Sequence, residues 1–175
     1  MKKDNIVLIG FMGSGKTSTG IRLSYRLRRG VEDTDKLIER KEGRAISDIF
    51  ATDGEEHFRK LETQMLQYLC ETRRNQIISV GGGTPVREEN RSLLKALGLV
   101  VYLRIQPETV CKRLKNDKTR PFLRSEDPES RIRELLHARK EAYESCADLI
   151  IDVDDKNIAQ VMDIIESHLQ GVSEK

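Results

Sequence analysis

Asn5-Ile6-Val7-Leu8-Ile9-Gly10-Phe11-Met12-Gly13-Ser14-Gly15-Lys16-Thr17 is a short apolar run that passes without a break into a complete GxxxxGKT. The run has the length and β-branched content of a buried strand. The glycines behind it let the backbone turn its N–H groups toward a polyphosphate, and a helix beginning near Lys16 adds the positive end of its dipole. In this setting Lys16 reaches the β- and γ-phosphates and the Thr17 hydroxyl is placed for Mg²⁺. Ile21, Leu23 and Leu27 continue the helix as an apolar stripe. The ligand this stretch predicts is a nucleoside triphosphate.

The rest of the chain narrows what uses it. At 175 residues there is room for one domain of ordinary size, spanning 1–175, with a substantial core. Lys and Arg total 31 against 29 Asp and Glu, and a net charge of +2 lacks the electropositive footprint of a nucleic-acid binder. A small-molecule partner is expected, and no nucleic acid. The charged opening leads into an apolar run too short for a signal peptide, and no segment approaches membrane-spanning length, so a cytoplasmic protein without membrane contact is expected. Cys70, Cys111 and Cys146 are scattered and read as reduced thiols.

Apolar runs alternate with helical patterns, as in parallel βαβ units, and the fold class is α/β. Strands are expected at Asn5 to Ile9, Gly30 to Glu32, Gln76 to Val80, Leu99 to Leu103 and Leu149 to Asp152. The last helix carries Ile158, Val161, Met162, Ile165 and Leu169 on one stripe. Two segments break the alternation. Residues 34–73 have helical character with breaks around Gly43 and near Asp53-Gly54, more than a simple crossover needs. Residues 115–128 are charged, non-periodic and punctuated by Pro121 and Pro128, and read as a long loop. A kinase needs such parts to hold an acceptor and exclude water.

Asp33-Thr34-Asp35 follows the second strand, at the sheet edge where open α/β folds gather ligands. If strand geometry persists, the two carboxylates point the same way, one toward a metal and one toward an acceptor hydroxyl. The other reading is a helix start capped by Thr34 or Asp35. No strand ends in a Walker-B aspartate, since Ile77-Ile78-Ser79-Val80 runs into Gly81 and Val100-Val101-Tyr102-Leu103 into Arg104, which leaves Asp33 for Mg²⁺. Gly81-Gly82-Gly83 is either a tight turn or a surface that lets a ligand approach the backbone. Ile132, Leu136, Arg139 and Tyr143 follow the steps of one helical stripe, so Arg139 faces inward and needs a partner. That partner is a structural carboxylate or a ligand. Arg59 is a second candidate, against a surface pair with Glu55. Two arginines on one carboxylate give bidentate recognition.

These residues lie in an order that resembles the shikimate kinase family over almost the whole chain: GFMGSGKT, DTD, SDIFATDGEEHFRKLE, ISVGGG, RPFL and RKEAYESCAD. The resemblance implies a fold similar to nucleoside monophosphate kinases, a P-loop NTPase with a five-stranded parallel sheet of order 2-3-1-4-5, an acceptor-binding region and a lid. It implies ATP-dependent phosphorylation of the 3-hydroxyl of shikimate by a monomer using Mg²⁺. Gly13, Ser14, Gly15, Lys16, Thr17 and Ser18 would contact the nucleotide, with Thr17 and Asp33 on the metal and Asp35 on the acceptor hydroxyl. Arg59 and Arg139 would clamp the acceptor carboxylate, Gly81, Gly82 and Gly83 would offer backbone donors, and Phe50 and Phe58 would wall the ring. Arg120 would reach the transferring group from the lid, and Arg113 would stack on adenine. Asn157 precedes Ile158 where the family often has proline, Ser14 stands where Ala is common, and Phe122 where Leu is common. A loose transition state lets Asp35 work as a carboxylate of ordinary basicity.

Other readings are weighed on the same residues. A gluconate-type polyol acid kinase would share loop and lid, but DGEEHFR with the paired arginines favours shikimate. A GTPase would want NKxD, which Asn116-Asp117-Lys118-Thr119 does not supply. Intact Lys16, Asp33, Asp35 and Arg120 argue against a catalytically silent binding module.

Overall fold

In the computed structural model, which describes residues 4–115 and 127–173, β1 (Asn5–Ile9) lies at the centre of the sheet. Ile6, Val7, Leu8 and Ile9 are all fully buried, because a central parallel strand is covered on both faces. Asn5 anchors its start: the side-chain amide donates to the carbonyls of Arg73 and Leu97, and its oxygen accepts from Gln76 N–H. Every pairing is parallel, as the alternating pattern predicts, and the strand order β2-β3-β1-β4-β5 is the one the family resemblance implies.

The other strands are β2 (Gly30–Asp33), β3 (Gln76–Ser79), β4 (Gly98–Arg104) and β5 (Leu149–Asp152), each within one residue or so of its expected limits. Helices α1 (Lys16–Leu27) and α7 (Ile158–Ser173) pack together, while α4 (Glu88–Leu97) joins α3 (Ile46–Thr72) and α6 (Pro128–Cys146). Helix α5 (Pro107–Leu114) packs against α6. The α7 stripe behaves as its periodicity demands, with Val161, Met162 and Ile165 buried and Asp163 exposed. On α1 the stripe is displaced. Ile21 is exposed, and Thr19, Gly20 and Leu23 face the sheet, with Gly20 letting the helix settle against Leu8 and Val31.

The long connection from β2 to β3 is two helices, α2 (Thr34–Glu42) and α3, separated at Gly43 as expected. The second expected break is real but milder: α3 kinks at Gly54 rather than ending there. Phe58, Leu61, Glu62, Met65, Leu66 and Leu69 form its buried face, so one charged residue lies on an otherwise apolar stripe.

Candidate active site

The ends of β1, β2 and β3 bring the predicted residues to one edge of the sheet. Gly15, at φ +90°, caps α1 in a conformation open to glycine, so the chain turns and the helix N-terminus points into the loop. Lys16 folds back over the loop, its Nζ donating to the carbonyl oxygens of Gly10 at 2.7 Å and Phe11 at 3.2 Å. A triphosphate offers better acceptors for the same ammonium. A cavity of about 770 Å³ opens above the loop, and Gly13, Ser14, Gly15, Lys16, Thr17 and Ser18 all line it. Thr17 is exposed there, whereas the Ser14 hydroxyl is buried against the strand end and makes no hydrogen bond.

Asp33-Thr34-Asp35 does not continue as a strand. Helix α2 starts at Thr34, so the alternation that would have aligned the two carboxylates is lost. The cap is Asp33 rather than Thr34 or Asp35: its Oδ1 accepts from the N–H groups of Asp35 at 3.0 Å and Lys36 at 3.3 Å. This leaves Asp33 Oδ2 for a cation. Thr34 is buried and its Oγ1 accepts from Gly81 N–H at 3.2 Å, joining the segment to the end of β3.

Asp35 is held in an electrostatically strained position. Its Oδ1 is buried with no hydrogen-bond partner. Burial first, then the negative charges of Asp33 and Glu62, push its pKa up to about 6, while Lys16 opposes the rise. In the ligand-free fold this carboxylate is thus more basic than the sequence suggests, because spacing along the chain does not reveal the loss of water or the approach of Glu62. A base poised near neutral pH suits proton transfer better.

Arg59 and Arg139 converge on a second cavity of about 510 Å³, lined also by Glu55, Glu56, Gly83, Val86 and Arg87. Of the two alternatives for Arg59, the pair with Glu55 forms, and a second, buried carboxylate joins it. Arg59 pairs with Glu55 at 3.0 Å across one turn, and its Nη1 donates to Glu62 Oε2 at 2.7 Å. Glu62 is the residue the sequence reading missed. It is 2% exposed and its other oxygen accepts from Thr84 Oγ1 at 2.5 Å. A Glu on the buried stripe of α3 was the available signal, the same signal that singled out Arg139.

The three glycines are both a turn and a close approach. Gly81 O accepts from Thr84 N–H and Gly83 O from Val86 N–H, which closes a 3-10 turn at Thr84–Val86. A Cβ at Gly83 would lie 2.3 Å from Arg59 Nη1, so a side chain there would displace the guanidinium. Of the expected backbone donors, the N–H of Gly81 is already given to Thr34. Arg139 is half-buried, its Cζ 5.6 Å from the Phe11 ring centre. Phe50 and Phe58 form a tilted pair at 4.8 Å, with Phe58 in the core and Phe50 at the surface.

On the far side of the loop, Arg113 Nη1 donates to Gly13 O at 2.9 Å and Nη2 to Val153 O at 3.1 Å. These bonds fix its guanidinium plane beside Asn157 and Ile158, which line the same cavity. Arg120 and Phe122, with most of the 115–128 segment, lie outside the described residues. Among those described, no helix is long and apolar enough to cross a membrane.

A phosphate loop after the central strand of a 2-3-1-4-5 parallel sheet, with two helices inserted between β2 and β3, is the architecture of P-loop phosphotransferases related to nucleoside monophosphate kinases. Comparison with known proteins narrows the class. A family model described as shikimate kinase matches residues 12–170. The shikimate kinase of Thioalkalivibrio sulfidiphilus is 40% identical over 94% of this chain and 86% of its own, and that of Symbiobacterium thermophilum is 40% identical over 98% and 99%. The structure of shikimate kinase from Acinetobacter baumannii in complex with shikimate superposes with a TM-score of 0.90 at 36% identity, covering 99% of this chain and 96% of that one. The chain belongs to the shikimate kinase family.

Proposed function

We infer that this protein transfers the γ-phosphoryl group of ATP to the 3-hydroxyl of shikimate, giving shikimate 3-phosphate and ADP. The observation that carries the reading is the meeting of Lys16, Asp35 and the Arg59–Arg139 pair at one sheet edge, behind a phosphate loop. In the transfer, the bond from the γ-phosphorus to the β,γ-bridging oxygen breaks and a bond to the acceptor oxygen forms. Asp35 Oδ receives the hydroxyl proton. Lys16 and the loop N–H groups hold the β- and γ-phosphates and neutralise charge on the leaving side. The second cavity holds the acceptor, its carboxylate between Arg59 and Arg139, with Phe50 and Phe58 beside the ring and Gly82 and Gly83 free to donate from the backbone.

The Thr17 hydroxyl and the uncapped oxygen of Asp33 are hard donors that suit Mg²⁺, which takes few protein ligands and completes its shell with water and phosphate. When bound it supplies charge neutralisation at the β- and γ-phosphates. Arg113 borders the base-binding side, where Ile158 gives an apolar wall in place of proline. The role of Arg120 on the transferring group rests on the family resemblance. We propose a monomeric cytoplasmic enzyme, one domain over 1–175 with an acceptor-binding insertion at about 34–73 and a lid at about 115–128, without nucleic-acid or membrane partners.

A coupled ADP-release assay with shikimate, gluconate or no acceptor, with and without Mg²⁺, tests the reading. Shikimate-dependent release that needs Mg²⁺ is expected, and equal release with gluconate overturns the assignment.

Arg139→Ala is expected to weaken shikimate binding by about 1.5 to 3 kcal/mol, the range for hydrogen bonds to a charged group, with ATP affinity little changed. A shikimate carboxamide gives the control, because the variant should distinguish acid from amide much less than wild type does. Arg59→Ala should lose as much binding and also lower the melting temperature, since it leaves Glu62, with a side chain only 1% exposed, without its cation. If both variants discriminate acid from amide as wild type does, the arginines are structural.

A further inference from the structure

Tyr143 is fully buried one turn beyond Arg139 on α6, and its ring packs on Tyr102 at 5.0 Å. Its hydroxyl donates to the carbonyl oxygen of Gly82 at 2.6 Å. Burial pushes the phenol's pKa up, and the Arg139 guanidinium, which lies beside the same hydroxyl, opposes the rise. A phenol has one proton, here committed to the Gly82 carbonyl, so the hydroxyl presents only its lone pairs to the neighbouring guanidinium, which has only donors.

Three elements meet at this point. The Cβ position of Gly82 lies 3.6 Å from both Arg139 Nη1 and the Tyr143 hydroxyl and 3.4 Å from Gly10 O. Arg139 is thus bounded by the Tyr143 oxygen and by the Phe11 ring, and Phe11 is a fully buried member of the phosphate loop. We propose that Tyr143 is a positioning residue for acceptor binding: its hydroxyl and the Phe11 ring set the Arg139 guanidinium at a fixed place relative to the Gly81–Gly83 turn and the phosphate loop. The acceptor carboxylate is thereby indexed to the phosphate donor, which an in-line transfer needs to within a fraction of an ångström. The proposal rests on the acceptor assignment above.

The test is the kinetics of wild type, Tyr143→Phe, Arg139→Ala and the double variant, at saturating ATP and varied shikimate. Tyr143→Phe keeps the ring and its packing, so its melting temperature should stay close to that of wild type. Its KM for shikimate should rise about tenfold, as for one lost polar contact to a charged group, with KM for ATP unchanged. In the Arg139→Ala background the same substitution should add less than about twofold, because the group it positions is gone. Phe11→Leu carries the test from the other face of the guanidinium, and should also raise the KM for shikimate even if Tyr143→Phe does not fold. Full multiplication of the two single effects, or a KM within twofold of wild type for both Tyr143→Phe and Phe11→Leu, overturns the proposal. A normal shikimate KM for Arg139→Ala instead overturns the acceptor assignment, so the two failures are distinct.

Discussion

Lys16→Met is expected to lower kcat/KM by at least about two orders of magnitude, a loss of roughly 3 kcal/mol or more of transition-state stabilisation by analogy with removal of an oxyanion donor. No other described side chain combines a place in the phosphate loop with a flexible cationic head. The variant should still fold, because the Gly10 and Phe11 carbonyls that Lys16 holds are neutral acceptors in the same loop. A second consequence follows from the opposing effect of Lys16 on Asp35. Without that cation Asp35 should hold its proton to higher pH, which carboxyl-carbon NMR of the nucleotide-free variant measures. Near-wild-type turnover would sink the assignment of the loop.

Asp35→Asn should cut kcat by about a hundredfold or more, the range for general base and orienting function, with ATP binding nearly intact. The same substitution should stabilise the ligand-free, metal-free protein at neutral pH. Asp35 is raised from 3.8 to about 6 on folding. Between those values the folded protein keeps a proton that the unfolded chain has released, so stability from this group is full below about pH 3.8 and falls as pH rises through about 6. At pH 7.5 the ionised carboxylate costs about 3 kcal/mol, which Asn removes. Thermal melts at pH 7.5 and pH 4 check this: the variant should melt higher than wild type at the first and show little advantage at the second. A lower melting temperature for the variant at pH 7.5 would show that the carboxylate is structurally supported. If the main kinetic defect lies in ATP affinity, Asp35 belongs with the metal, and its division of labour with Asp33 is wrong.

The sheet and the phosphate loop were legible in the sequence because local rules govern them. Ile6 to Ile9 form an apolar run bounded by glycine, Lys16 begins a helix where the loop chemistry needs one, and the stripe of α7 repeats at the helical period. Each depends on residues within a few positions of one another. The order of the strands came from the family resemblance, not from those patterns. Arg139 was legible for a similar reason, since a charge on an apolar stripe contradicts its surroundings unless it has a partner. Glu62 carried that same contradiction on α3 and would have yielded to the same reading.

Tertiary structure alone decided which groups share a site. Asp33 became the cap of α2 once the chain turned helical at Thr34, a choice between two local geometries that the triplet permits equally. The raised pKa of Asp35 comes from lost water and from Glu62, a residue far along the chain that approaches only when α3 packs beside the end of β3. A Cβ at Gly83 would stand where the Arg59 guanidinium lies, and Tyr143 meets Gly82 across 61 positions of sequence. Hydrophobic periodicity records which face of an element is buried. Electrostatics and hydrogen bonding depend on what that face is buried against, and that is fixed only when the elements are packed.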